Sequence, residues 1–274
     1  MHMKVHARGA IRRRELLLGA GCGTLLGAGG LPGAALAQEA RLRPRVTRPA
    51  KEPERVLFIG NSYFYYGDSI HYHVEQMFRA AYPKRPNLFR LAAISNGYLD
   101  EQPVEAFLKL GGEEGFDMVL LQAHSTAMLT VAKRTRYLRA ARQAAEEIRA
   151  AGAEVSLYMT PAYTDQHWLY RPGLQGELER GYTAAGNRLG ALVVPLGTAF
   201  ARAKAVRPDL VLHKADNSHP TLLGTYLGAA TIFASYYDVS VVGNPWTYQG
   251  AVDEGDARFL QEIAEETVAW YFGG

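Results

Sequence analysis

Cysteine is almost missing from this chain: its 274 residues contain one, Cys22, close to the N-terminus. Beyond that position there is no thiol nucleophile, no disulfide and no thiolate metal site. Excess charge of one sign is scarce as well. The formal net charge is +3, and Lys4, Arg8, Arg12, Arg13 and Arg14 against Glu15 place +4 in the first 37 residues, leaving about −1 for the rest. A chain this close to neutral lacks the electrostatic footprint of a nucleic-acid binder. Internal repeats are absent too. The apolar stretch after Arg14 is short, glycine-rich and ends near Pro32, so it falls short of a membrane span.

The N-terminus predicts a compartment. Arg13, Arg14, Glu15, Leu16 and Leu17 form a twin-arginine arrangement, followed by the apolar stretch and by Ala35-Leu36-Ala37 before Gln38. This pattern predicts export by the twin-arginine route, cleavage after Ala37, and a periplasmic or extracellular protein with no stable membrane anchor. Cleavage would remove Cys22, and a cysteine-free domain is compatible with crossing a membrane already folded. Residues 38–54 read as a solvated linker, because Arg41, Arg43, Arg45, Arg48 and Lys51 are interspersed with prolines. A polyanion-binding arm is the alternative reading. Residues 55–274 are long enough for one domain with a substantial core.

Within that domain, short apolar runs alternate with amphipathic segments. Strands are expected at Val56–Ile59, Leu88–Ile94, Met118–Leu121, Val155–Met159 and Leu192–Leu196. Helices are expected at about 70–81, 104–110, 133–151, 175–189, 222–237 and 256–271. Such alternation calls for an α/β fold, a three-layer α/β/α sandwich around a five-stranded parallel sheet. Ligands in such sheets bind beyond the carboxyl ends of the strands. Ser62, Gly97 and Gln122 each follow an expected strand and so meet at one edge. The loop 162–171, with Tyr163, Asp165, His167 and Trp168, should overhang that edge. Four consecutive aromatics, Tyr63 to Tyr66, cannot all face inward, and Tyr63 and Tyr65, with His124, Tyr163, His167 and Trp168, are candidate substrate contacts.

Chemistry enters through the segments VLFIGNSYFYYG and DNSHPTLLGTYLG. A serine hydroxyl is a poor nucleophile until an imidazole takes its proton and a carboxylate orients that imidazole. Ser62, His219 and Asp216 supply all three groups. An Asp and a His three residues apart can approach a serine from one loop, and Pro220 suits the first turn of a following helix. Alone, each piece reads as a turn residue, a helix cap or an ordinary histidine; together they predict a catalytic triad.

The combination resembles the SGNH, or GDSL-type, serine hydrolase superfamily. Gly60, Asn61, Ser62 and Gly67 match its first block, Gly97 its second, and Asp216 to Pro220 its fourth. The third block carries an asparagine, where this chain offers Gln122, with His124 as a rival donor at the same strand end. The resemblance covers the chain from about Arg55 onward. It implies a flavodoxin-like SGNH fold and an oxyanion hole built from the Ser62 N–H, the Gly97 N–H and the Gln122 amide. It further implies carboxylic ester hydrolysis through an acyl-enzyme without a cofactor, on a small-molecule or carbohydrate ester. Export and the aromatic run favour short acyl groups on carbohydrate. Three other readings remain open: acyl transfer to a sugar, a non-catalytic envelope or glycan-binding module on the same fold, and metal-dependent hydrolysis using His71 and His73 with His124, His167 or Asp216.

Overall fold

The computed structural model describes residues 41–273, so the leader expected at 1–37 lies outside the described residues. Five strands form one all-parallel sheet: β1 (Arg55–Gly60), β2 (Leu88–Ala93), β3 (Met118–Gln122), β4 (Glu154–Tyr158) and β5 (Leu192–Val194). Their order is β2-β1-β3-β4-β5. Alternating side chains feed two separate cores, as the period of two in a strand requires. Val56, Phe58, Met118, Leu120 and Val194 face one layer, whereas Leu57, Ile59, Val119, Leu121 and Val193 face the other. Eight helices among the described residues complete the sandwich.

The first layer contains α1 (Ser62–Tyr65), α2 (Ile70–Ala81), α6 (Leu196–Val206), α7 (Leu222–Tyr236) and α8 (Glu254–Phe272); the second contains α3 (Val104–Leu108), α4 (Val131–Ala150) and α5 (Leu174–Leu189). Helix α7 is apolar nearly all round because it lies under its neighbours rather than on the surface. At Gly228 a Cβ would lie 2.6 Å from Leu196 and 2.8 Å from Ile70, so the glycine lets α7 approach both α6 and α2.

Three expectations are corrected. The fifth strand stops at Val194, because Pro195 has no N–H for the ladder and instead begins α6, a helix that the apolar run concealed. Pro220 is not in the first turn of α7. Thr221 caps that helix, its Oγ1 accepting from the Gly224 N–H at 3.2 Å, and Pro220 pairs with His213 in an isolated bridge just before it. The segment 41–53, expected as a solvated linker, is exposed over most of its length, yet it is bonded to the domain rather than free of it. The Arg41 guanidinium lies 3.4 Å from the Trp270 ring centre, pairs with Glu179 at 3.1 Å and donates to the carbonyls of Trp270 and Tyr271. Arg43 donates to the Gly273 carbonyl, and Ala50 N–H donates to Glu154. Arg41 and Arg43 thus clamp carbonyl and carboxylate groups of the domain. No described helix is long and apolar enough to cross a membrane.

Candidate active site

From β1 the chain moves to β2 on one side and afterwards to β3 on the other. The connections after β1 and β3 therefore diverge, leaving a crevice beyond their carboxyl ends. Ser62 stands at that crevice as the first residue of α1, directly after β1. Gly60 precedes it for a steric reason: a Cβ there would lie 2.5 Å from Gln122 Oε1 and 2.8 Å from the Phe64 ring. Asn61 caps α1 and donates from Nδ2 to the Gly97 carbonyl at 3.1 Å, tying the first loop to the second.

The loop before α7 brings the other groups. His219 Nε2 is 2.7 Å from Ser62 Oγ, and His219 Nδ1 is 2.7 Å from Asp216 Oδ2. Because Nδ1 must donate to the carboxylate, Nε2 is left as the acceptor of the serine proton. The second carboxylate oxygen accepts the backbone N–H groups of Ser218 and His219, each at 2.9 Å. Burial raises the Asp216 pKa, but these N–H groups and the His219 ring outweigh it and hold the carboxyl below its ordinary value. Asn217, at φ 61°, makes the left-handed turn that folds Asp216 back on His219.

Aromatic rings fix the imidazole. Tyr66 stacks on His219 with centroids 4.3 Å apart, and Tyr63 approaches it at 5.4 Å. Tyr63 is 3% exposed and its hydroxyl is 2.8 Å from Ser218 Oγ. This corrects its reading as a substrate contact, since the ring is a floor beneath the histidine loop. Tyr65 is exposed, with its hydroxyl 2.9 Å from Ser95 Oγ.

The expected oxyanion donors are placed differently. Gln122 is 1% exposed; its Oε1 accepts from the Asn61 N–H at 2.8 Å, and its Nε2 donates to the Ala123 carbonyl. The amide is therefore turned into the strand end, where it satisfies two buried backbone groups rather than facing Ser62. The Gly97 N–H donates to the Ile94 carbonyl at 3.0 Å, closing a turn. The Ser62 N–H, at the open first turn of α1, donates to no protein group among the described residues. His124 is stacked on Tyr98 at 4.2 Å with its planes 7° apart. Its Nε2 is 3.0 Å from Asn96 Oδ1, and its Nδ1 accepts from the Thr126 N–H at 3.2 Å. Burial, with Lys133 nearby, lowers the His124 pKa and keeps the ring neutral.

The loop 162–171 is anchored to the histidine loop: Thr164 donates to Asn217 from its N–H at 3.1 Å and from its hydroxyl at 2.7 Å. Tyr163, which is 5% exposed, stacks on His167 at 4.0 Å, and His167 is followed by Trp168 at 5.9 Å. Tyr163 is thereby a buried support, whereas Trp168 is 84% exposed. The histidines proposed for a metal diverge. His73 bonds the Gly67 carbonyl and accepts from Trp246, while His71 packs against Phe58. Among the described residues no three His, Cys, Asp or Glu side chains are grouped to hold a metal.

Sequence reasoning missed Asn96 and Gln102, and it took Tyr66 only as one of the aromatic run, without its place against the His219 ring. Gln102 is buried and donates to the Gly60 carbonyl at 3.0 Å across a gap of 42 residues, and no local pattern signals such a bond. Asn96 did carry a signal, because Asn before Gly marks a turn with left-handed backbone, and its φ is 57°.

No protein-family model matches the chain, and no curated protein matches it. Solved structures do. A DUF4886 family protein from Bacteroides uniformis superposes with a TM-score of 0.64 at 17% identity, over 80% of this chain and 95% of that one. A candidate SGNH hydrolase from Slackia heliotrinireducens gives 0.53 at 20% identity, over 66% and 97% of the two chains. An acetyl xylan esterase gives 0.51 at 14% identity, over 67% and 100%. With its parallel order β2-β1-β3-β4-β5 between two helical layers, this chain has the SGNH-hydrolase fold.

Proposed function

We propose that the protein is an exported serine esterase that hydrolyses short-chain acyl esters, with acylated carbohydrate as its substrate class. The observation that carries this reading is the continuous chain from Ser62 Oγ through His219 to Asp216, with both links at 2.7 Å. The Ser62 hydroxyl attacks the ester carbonyl while His219 Nε2 takes its proton. The imidazolium that forms is stabilised by Asp216, which stays ionised because two backbone N–H groups hold its other oxygen. His219 then returns the proton to the leaving alcohol, and an acyl group remains on Ser62. Water repeats the sequence in reverse, with His219 again as base, and releases the acid. Developing negative charge on the carbonyl oxygen is met by the Ser62 N–H.

The carbohydrate assignment has two supports. Trp168 presents a nearly bare indole on a loop bonded to the histidine loop, a planar apolar surface of the kind that packs against sugar rings. One structure with the same fold is an acetyl xylan esterase. Export rests on the twin-arginine pattern at Arg13 to Leu17.

Substitution and labelling test the serine mechanism together. Ser62→Ala should abolish hydrolysis of p-nitrophenyl acetate and leave the thermal midpoint within about 2 °C, since the hydroxyl contributes little to packing. A fluorophosphonate probe should label the native protein and spare the variant. Hydrolysis that survives in Ser62→Ala, or labelling at another residue, excludes Ser62 as the nucleophile.

A further inference from the structure

Two of the three donors expected for the carbonyl oxyanion are already committed in this structure: Gln122 to Asn61 and Ala123, and the Gly97 N–H to Ile94. The Ser62 N–H alone is a weak oxyanion site, because acyl transfer needs several preorganised donors where the charge develops. A side-chain amide is nevertheless present at the same crevice. Asn96 immediately precedes Gly97 on the loop after β2, and Asn61 Nδ2 ties that loop to the nucleophile's own turn at 3.1 Å. The neighbouring Ser95 touches Tyr65 of α1 at 2.9 Å. The Asn96 side chain then reaches across to His124, beyond the end of β3. Because β1 lies between β2 and β3 in the sheet, this bond spans the carboxyl end of β1, the strand that Ser62 follows.

The tautomer of His124 decides which end of the Asn96 amide is free. His124 Nδ1 accepts the Thr126 N–H at 3.2 Å, and the Thr126 hydroxyl lies 2.9 Å from the same nitrogen. Nδ1 thus carries no hydrogen, and the single ring proton of the neutral imidazole is on Nε2. That proton is donated to Asn96 Oδ1 at 3.0 Å. Two conclusions follow. His124 has no second N–H to offer an oxyanion. Asn96 must turn its carbonyl toward His124, which leaves both Nδ2 hydrogens directed away from it. The Asn96 backbone sits at φ 57°, the left-handed conformation that asparagine adopts readily in a turn before glycine, and it fixes where the side chain leaves the loop. His124 is itself held against Tyr98, whose other neighbour is the Arg136 guanidinium at 3.9 Å.

We propose that Asn96 is the side-chain oxyanion donor of this enzyme, its Nδ2 replacing the amide that Gln122 has turned inward, and that His124 is the positioning residue that sets the amide's direction. This assignment rests on the serine-esterase reading above. The substrate carbonyl oxygen, as it gains charge during attack by Ser62, would accept from the Ser62 N–H and from Asn96 Nδ2.

Kinetics on p-nitrophenyl acetate test it. Asn96→Gly keeps the left-handed backbone and removes only the amide, so it should lower kcat about 10²-fold with KM within about twofold, because the bond strengthens only as charge develops. Asn96→Asp should be at least as damaging, since it places negative charge where the oxyanion forms. His124→Ala should cost about tenfold, His124→Gln should recover most of that through a donor to the same oxygen, and His124→Ala should add little to Asn96→Gly. The rate of fluorophosphonate labelling of Ser62 should fall in parallel. If Asn96→Gly hydrolyses and labels at the native rate while Ser62→Ala is inert, Asn96 is not the donor and only this assignment falls. A His124→Ala loss equal to or greater than that of Asn96→Gly, with no rescue by Gln, gives the donor role to His124 instead. A native protein that neither hydrolyses the ester nor reacts with the probe removes the esterase reading and the Asn96 role with it.

Discussion

The Tyr66 ring lies against the His219 imidazole, with centroids 4.3 Å apart and planes 28° from parallel. This contact fills the side of the histidine that hydrogen bonds cannot restrain. Asp216 fixes one edge of the ring and Ser62 meets the other, but neither stops the imidazole from tilting about the line between them. Tyr66 is kept in place through its own backbone, whose carbonyl accepts from Thr225 Oγ1 at 3.2 Å.

Removal of that face should misplace the base without unfolding the protein. Tyr66→Ala is expected to lower kcat on p-nitrophenyl acetate about tenfold, and Tyr66→Phe, which keeps the ring, should remain within about twofold of native. Steady-state kinetics with a parallel thermal scan separate misplacement from instability.

Gln122 should behave as a structural residue with a catalytic consequence. Gln122→Ala strips the acceptor from the buried Asn61 N–H, an uncompensated group that costs about 1–3 kcal/mol. Urea denaturation should show that loss, whereas Ser62→Ala should not. Gln122→Glu keeps an acceptor for Asn61 but loses the donor to Ala123 and buries a charge, so it should be no more stable than the alanine variant.

Acid should weaken the fold through two buried histidines outside the triad, His71 and His213. Burial drives the pKa of His71, with help from Arg90 and His73, and that of His213 down to about 4. His71 Nδ1 and His213 Nε2 are also buried without a partner, so neither ring has a ready acceptor for an added proton. The unfolded chain takes up these protons below about 6.5, while the folded one refuses them until about 4. Within that window the unfolded state binds more protons, so stability is complete above it and declines as pH falls. The slope should approach about 2.7 kcal/mol per pH unit, from 1.36 for each histidine. Denaturation curves at stepped pH measure it, and replacing either histidine with Gln should flatten the slope by about half.

Trp168 should distinguish carbohydrate from simple esters. Covering one indole face is worth about 1–2 kcal/mol at 25 cal/mol per Å², or roughly tenfold in affinity. Trp168→Ala should therefore raise KM for an acetylated xylo-oligosaccharide far more than for p-nitrophenyl acetate. Equal effects on both would remove Trp168 from sugar recognition.

The sequence made the sheet legible because four strands are short apolar runs with flanking polar or glycine residues, and their order of appearance matches a parallel sandwich. Ser62, Asp216 and His219 were legible because their chemistry is carried by residue type. The direction of a side chain was not. Gln122 has an amide in either orientation, and only the buried Asn61 N–H, 61 positions away, turns it inward. Tyr63 and Tyr66 differ by three residues and by nothing in character, yet one lies beneath the histidine loop and the other against the ring. Helix α6 was hidden because Leu192 to Leu196 is apolar throughout, and the break at Pro195 only becomes visible when the ladder ends.

The bond between Ser62 and His219 joins residues 157 apart in the chain. The bond needs β1 and the loop before α7 to be in place together, so it reports on both ends of the domain at once. A chain released early, or one stalled with its final third unformed, would carry Ser62 as an ordinary hydroxyl. Recovery of hydrolysis after dilution from denaturant would therefore trace completion of the whole topology, and a partly folded population would contribute no background to it.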